Sequence, residues 1–451
     1  MNKLERLERT VASTLQEIAP VRIGGRINQV APNFYRVVGL SPFVCLGDTV
    51  LLETKDKAQR GEVIRLDEDE AIVKPFGRQT SVGIGTKVYR VGGLTIHPDP
   101  SWKGRVVNAL GQPVDDQGLL PSGERAVPLD RDPPPSLKRS RVSKGLRTGV
   151  RVIDLFSPLC VGQRVGIFAG SGVGKSTLLA MFARSGDFDT VVVGLVGERS
   201  REVREFIEDA LGDAIEKSVV VVSTGDESPM MRRLAPKTAM TIAEHFRDRG
   251  ESVLLIIDSA TRFAHAARDV AMAAGEPPVA RGYTPSVFSE LPRLLERAGP
   301  GETGGGAITG VFSVLVDGDD HNDPVADSIR GILDGHIKLD RSIADGGRFP
   351  AVDVLGSVSR LAQHAWTPEQ RELVMRLKGL ISRFEDTRDL RLMGGYQPGN
   401  DTQLDYACQV VPKIYDALRQ GSRDRIVGDP FDFLARALSA ETNGNDTPSA
   451  G

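Results

Sequence analysis

At 451 residues the chain is too long for a single hydrophobic core and implies two to four domains. Charged residues make up 26 % and hydrophobic residues 40 %, the balance of a soluble globular protein, and the formal net charge of −3 argues against a generally basic nucleic-acid binder. Three widely spaced cysteines, Cys45, Cys160 and Cys408, form no CxxC pair, which fits a reducing compartment and gives no zinc site.

The opening stretch, MNKLERLERTVASTLQEI, is charged throughout and lacks the apolar centre of a signal peptide. No apolar run approaches the ~20 residues that cross a bilayer, so a soluble, cytoplasmic protein is expected. Residues 1–19 read as an amphipathic helix, with Leu4, Leu7, Val11, Leu15 and Ile18 on one stripe and Pro20 ending it. That stripe suits either packing on its own domain or docking to a partner.

From 20 to 95 short β-rich runs (VRIGGRI, YRVVGL, DTVLLE, GEVIRL, EAIVKPF, TKVYRV) alternate with Gly, Pro, Asn and Asp, the pattern of a small closed barrel. Residues 96–145, which include Pro133, Pro134 and Pro135, read as a Pro/Gly-rich connection. It leads into a nucleotide-binding domain spanning 96–365 in all. Its nearly continuous apolar strands, RVGIFA, TVVVGLV, SVVVVS, SVLLII and AITGVFSVLV, predict a mostly parallel sheet buried on both faces. Val203, Phe206, Ile207, Ala210 and Leu211 share one helical face after the second of these strands. A helical domain is expected over 366–440. Thr367, Pro368 and Gln370 form a capping box ahead of Leu373, Val374, Leu377, Leu380, Ile381 and Phe384, and a second helix carries Leu404, Ala407, Cys408, Val411, Ile414 and Leu418. The tail, 441–451, has no apolar face and reads as disordered.

The central chemical signal is Ala169-Gly170-Ser171-Gly172-Val173-Gly174-Lys175-Ser176, directly after RVGIFA and before a helix-like run that continues with Thr177. Strand, glycine loop and a helix opening in Gly-Lys-Ser are the context of a phosphate-binding P-loop. Backbone N–H groups converge on phosphate oxygens, the helix N-terminus adds partial positive charge, Lys175 reaches the β- and γ-phosphates, and the Ser176 hydroxyl binds Mg²⁺. Ala169 stands where the strict pattern has Gly. Asp258, ending SVLLII, suits a Walker-B carboxylate for the magnesium. Glu198, just past TVVVGLV, suits a group that orients the attacking water, although a carboxylate there also fits the start of a helix.

These segments, with VGERSREVREFIED, STGDESPMMRR, LLIIDSATRFAHAARD, RGYTPSVFSELPRLLERAG, DGHIKLDRSIADGGRFPAVDVLGSVSR and GRVVNALGQPVD, resemble the rotary-ATPase α/β subunit superfamily over roughly 20–420. Within it they most resemble the flagellar and type III secretion export ATPases. The resemblance implies an α/β fold with a RecA-like P-loop NTPase core, an N-terminal β-barrel and a C-terminal helical domain. It implies Mg-ATP hydrolysis, with Glu198 activating water and Arg199 organising the region beside it. It further implies Arg262 near the phosphates, Arg360 as an arginine finger supplied to the adjoining subunit, and Phe349 stacking on adenine. The implied partners are copies of the chain in a homohexameric ring, regulatory stator-like and stalk-like export proteins, an export gate at the inner face of the cytoplasmic membrane, and chaperone–substrate complexes.

Three other readings share the core. An injectisome ATPase has the same motifs. A catalytic β-subunit of a proton-translocating synthase shares the chemistry; against it stand Ala169 and Ser176 in the loop, GGYQPGND at 394–401, and the lack of an acidic DELSEED-like loop. A Rho-like RNA translocase needs a single-strand-binding surface, and Phe34, Tyr35, Phe43, Phe76 and Tyr89 fall in no RNA-binding motif, so nucleic acid is not an expected partner. Intact Lys175, Glu198 and Asp258 speak against a scaffold that binds nucleotide without turnover.

Overall fold

The computed structural model describes residues 22–54, 58–77, 82–302, 304–316, 323–424 and 428–439. The stripe predicted over 1–19 and the tail at 441–451 lie outside them. The described residues form two compact units, one of those up to residue 95 with 227–231 and 269–277, the other of the rest.

In the first unit, β1 (Gly24–Val30), β2 (Tyr35–Val38), β3 (Asp48–Leu52), β4 (Gln59–Leu66), β5 (Glu70–Pro75) and β6 (Lys87–Gly93) close into an antiparallel barrel in the order β1-β2-β5-β4-β3-β6. Alternation drives closure: Tyr35 and Val37 are buried while Arg36 and Val38 are half-buried, and Ile27, Val50, Leu52, Val63, Val73 and Val88 complete the interior. Ser228 donates to the Phe76 carbonyl (2.5 Å), fastening the 227–231 segment to this unit.

The second unit is organised by a nine-stranded sheet. Along the chain it holds the short pairs β7 (Thr95–Ile96) with β9 (Val127–Pro128) and β10 (Gly145–Leu146) with β11 (Leu159–Cys160). The sheet itself comprises β8 (Val106–Asn108), β12 (Arg164–Ala169), β13 (Thr190–Glu198), β14 (Ser218–Thr224), β15 (Ser252–Asp258), β16 (Gly299–Pro300), β17 (Ala307–Leu315), β18 (Gly335–Lys338) and β19 (Val358–Ser359). Its order is β19-β18-β12-β17-β15-β13-β14-β8, with β16 antiparallel on β17, β19 antiparallel on β18, and every other pair parallel. The five predicted apolar strands are its centre, and β13 is buried from Thr190 to Gly197 because both faces are covered. β8 corrects the reading of 96–145 as connection only: three residues of it pair with β14, too short a run to show periodicity.

The helical face predicted after β13 is real but not a single α-helix. Ser200–Glu205 is α-helical and Phe206–Leu211 is a π-turn segment, with Val203, Phe206 and Leu211 buried. In the C-terminal part, helix Pro368–Asp386 starts on the expected capping box, Thr367 Oγ1 accepting from Gln370 N (3.2 Å) and Gln370 Oε1 from Thr367 N (3.0 Å). Val374, Leu377 and Ile381 are buried, whereas Leu373 is 43 % exposed, being rotated ~100° from the stripe of its neighbour. Helix Thr402–Leu418 buries Leu404, Ala407, Val411, Ile414 and Leu418 and leaves Cys408 half-buried. A third helix, Pro430–Ser439, went unread in the sequence and contributes Leu434 to the core. No helix among the described residues is long and apolar enough to cross a membrane.

Candidate active site

The parallel strands deliver four chemical groups to one edge. β12 ends at Ala169, whose carbonyl accepts from Val316 N (3.1 Å) and whose side chain is buried. Ala is tolerated there because its backbone is ordinary strand. The loop bends instead at Gly172 (φ 78°) and Gly174 (φ 90°), a region that penalises any Cβ. Gly174 caps helix Lys175–Ala183, so free N–H groups of its first turn point into the loop formed with Gly170, Ser171 and Val173. Arg341, which sequence reasoning missed, donates to the Ser171 carbonyl (3.0 Å) and braces the loop from outside.

Lys175 is ion-paired with Asp258 Oδ1, and its Nζ lies 3.9 Å from Glu198 Oε1. Asp258 sits at the end of β15, level with Ser313 of β17, and Ser313 Oγ donates to the same Oδ1 (2.6 Å). Ser313 was also missed; its only sequence signal is a hydroxyl inside an apolar strand, one of two with Thr309, where a buried polar group must find a partner. Glu198 extends three residues beyond the level of Asp258, because Leu195 is the residue opposite Asp258. Gly197 (φ 72°) makes the turn, and a Cβ on it would meet Arg262 Cδ at 2.6 Å. Arg262, from helix Ala260–Ala273, thus crosses bare backbone to place Nε 3.4 Å from Glu198 Oε1. Burial first, and then the charge of Asp258, push the Glu198 carboxyl up to about 7 against the pull of Lys175 and Arg262.

Ser176 and Thr177 follow on the exposed side of the helix start. Lys175 and Ser313 both engage Oδ1 of the Asp258 carboxylate. A hydroxyl and a carboxylate oxygen suit a hard cation that retains waters and takes phosphate oxygens, so the residues present fit Mg²⁺. Among the described residues no group of three or more His, Cys, Asp or Glu could hold a metal ion.

Phe349 is 45 % exposed, with Cδ1 3.5 Å from where a Cβ on Gly174 would be, so its ring flanks the loop. Its carbonyl accepts from Gln420 N (2.9 Å), and Arg348 beside it lies 3.8 Å from the centre of the Tyr415 ring, so the helical region helps set its position. Two expected residues stand apart from this cluster. Arg199 is exposed and paired with Glu202 (3.5 Å). Arg360 is exposed just after β19, whose Ser359 lies opposite Gly335 at the level of Val165 in β12. Five strand residues, roughly 16 Å, separate that level from the phosphate loop.

Residues 149–359 match the model of the ATP synthase alpha/beta family, nucleotide-binding domain. The chain is 58 % identical over 434 residues, 96 % of its length and 92 % of the relative's, to the flagellum-specific ATP synthase of Rhizobium meliloti (strain 1021). The chain belongs to the ATP synthase α/β family. Within that family it is an ATPase of the flagellar and type III export branch, and residues 366–429 match the T3SS EscN ATPase C-terminal domain. The assembled ATPase EscN of the enteropathogenic E. coli type III secretion system superposes with a TM-score of 0.86 at 37 % identity, covering 92 % of this chain and all of that one. EscN in complex with its central stalk EscO gives 0.84 at 36 % identity, with the same coverage.

With ATP as the nucleotide, the exposed ring of Phe349 has a measurable consequence. Phe349→Ala should raise KM for ATP about 5- to 10-fold, the low end of what a base–aromatic stack contributes, with kcat within about 2-fold. A steady-state titration that finds KM unchanged removes Phe349 from adenine binding.

Proposed function

We propose that this chain hydrolyses Mg-ATP in a homohexameric ring and so energises protein export through a flagellar type III secretion apparatus. The observation that carries the reading is the convergence of Lys175, Asp258 and Glu198 at the edge where the glycine loop opens, with Arg360 held at the far end of the same sheet. Loop amides and Lys175 hold the phosphates, and Phe349 flanks the base. Glu198 accepts a proton from water as its oxygen bonds to the γ-phosphorus and the bond to the β-phosphate oxygen breaks, releasing ADP and phosphate. Ser176 and Asp258 would hold Mg²⁺, which when bound would supply positive charge against the phosphates. Arg360 serves the neighbouring subunit, and Arg199 borders the same region.

The flagellar assignment draws on the 58 % identity to a flagellum-specific relative, against 37 % to the injectisome ATPase EscN. Stalk-like and stator-like export proteins, an export gate at the cytoplasmic membrane face, and chaperone–substrate complexes are the proposed partners; EscN bound to EscO supports the first. Loss of the chain from its cell should stop export of flagellar filament protein, and the tagged chain should co-purify with flagellar export components. Co-purification with unlike α-type synthase subunits would overturn the assignment, and arrest of injectisome secretion alone would move it to that system.

A further inference from the structure

β12 ends at the phosphate loop, and level with its beginning, across β18, lies β19, which Arg360 directly follows. Gln163, immediately before β12, is fully buried, and its side-chain amide is used completely. Oε1 accepts from Cys160 N (2.9 Å), while Nε2 donates to the Asp334 carbonyl (3.2 Å) and to Ser359 Oγ (3.1 Å). The Asp334 carbonyl also accepts from Arg360 N (2.9 Å), so one oxygen joins the glutamine amide to the backbone of the arginine. Around this point Arg164 donates to the Asp334 carboxylate from its backbone N (3.0 Å) and from Nε (3.2 Å), and Cys160 Sγ lies 3.5 Å from the Leu361 carbonyl.

β19 needs such a hold. It is two residues long, pairs only through Gly335↔Ser359 and His336↔Val358, and Val358 is 44 % exposed, so its own ladder and packing secure it weakly. Backbones approach closely there: a Cβ on Gly335 would lie 2.5 Å from the Val358 carbonyl oxygen. A buried amide with every donor and acceptor engaged sets one geometry, because any displacement of Ser359 or Asp334 leaves a polar group unpaired.

We propose that Gln163 is a positioning residue for Arg360, fixing the direction in which this chain presents its guanidinium to the adjoining subunit. The proposal rests on the reading of Arg360 as a finger that acts in trans. The strand that cradles a subunit's own nucleotide is then also the base from which it serves its neighbour's.

Gln163→Met keeps length and volume and removes the amide. In rings of this variant alone, kcat should fall about 10- to 100-fold, part of the 10³–10⁵ that an arginine finger supplies, with KM for ATP within about 2-fold. Mixed with Glu198→Gln subunits, it should give a rate above the sum of the two separate preparations, because some interfaces then join an intact Glu198 to a correctly aimed Arg360. A purely structural defect in the subunit's own phosphate loop would not be rescued this way. The control is Arg360→Ala mixed with Glu198→Gln, with mixed rings verified by size and composition. If the control recovers and the Gln163→Met mixture does not, the positioning role is overturned alone. If the control fails as well, the trans reading fails and takes this proposal with it. Should Gln163→Met not fold, Ser359→Ala removes the acceptor from the half-buried side; a kcat loss of about 3- to 10-fold, rescued by the same mixing, is expected, and loss without rescue overturns the proposal.

Discussion

Glu198→Gln should bind ATP within a few-fold of the native affinity and hydrolyse it about 10³-fold or more slowly, within the range lost when a general base is removed. The amide keeps the size of the side chain and leaves Lys175 on Asp258, so the phosphate grip is preserved while the proton acceptor is gone. The pH dependence follows from the same environment. Burial and Asp258 raise the Glu198 carboxyl to about 7, so kcat/KM of the native enzyme should climb as pH rises through 7 and level off above it, once the carboxylate form dominates. The residual rate of Glu198→Gln should lack that limb. Stability carries the opposite sign. A carboxyl raised in the folded state stabilises fully below its unfolded value near 4.3, and that contribution is lost as pH rises through 7. At pH 8, therefore, Glu198→Gln should melt higher than the native protein by about 2 °C or more. Nucleotide binding by calorimetry, phosphate release and a melting series across pH check these three statements. A variant retaining more than about a tenth of the native rate removes Glu198 as the base.

What was legible in the sequence is what is local. RVGIFA followed by a glycine loop and Lys175-Ser176 specifies strand, turn and helix within one stretch, and Asp258 is recognisable as the polar residue ending an apolar strand. The box of Thr367, Pro368 and Gln370 is complete in four residues. What was illegible depends on pairing across the sheet. Nothing near Ser313 says that β17 lies beside β15, and nothing near Arg341 says that its helix meets the loop at Ser171. The conformation of Gly197, and the passage of Arg262 over it, belong to two elements more than sixty residues apart. β8 is too short for a periodic signal, and Leu373 was misplaced because adjacent apolar residues on a helix cannot both face one stripe. Nothing local to Arg360 marks a role for it, and only the resemblance implies one.

Arg360→Ala should leave ATP binding intact and reduce hydrolysis about 10³- to 10⁵-fold, the range attributed to arginine fingers. The geometry makes the direction of action testable. β12 is parallel to β18, and β19 runs back along β18, so Arg360 lies at the N-terminal end of the sheet while Lys175, Asp258 and Glu198 lie at the C-terminal end. The roughly 16 Å between these levels is too far for the side chain to reach its own γ-phosphate. Its backbone is tied to Asp334, so the arginine does not swing across as a flexible tail would. An effect of Arg360→Ala on hydrolysis must then arise at a neighbour's site. Random one-to-one mixing of Arg360→Ala with Glu198→Gln subunits completes about one interface in four, from Glu198 of the first and Arg360 of the second, and up to about a quarter of the native rate should return. Two inactive proteins that regain turnover on mixing have exchanged catalytic groups across an interface. If mixed rings form and stay inactive, the arginine works within its own chain or not at all, and the single-polypeptide ring loses its mechanism.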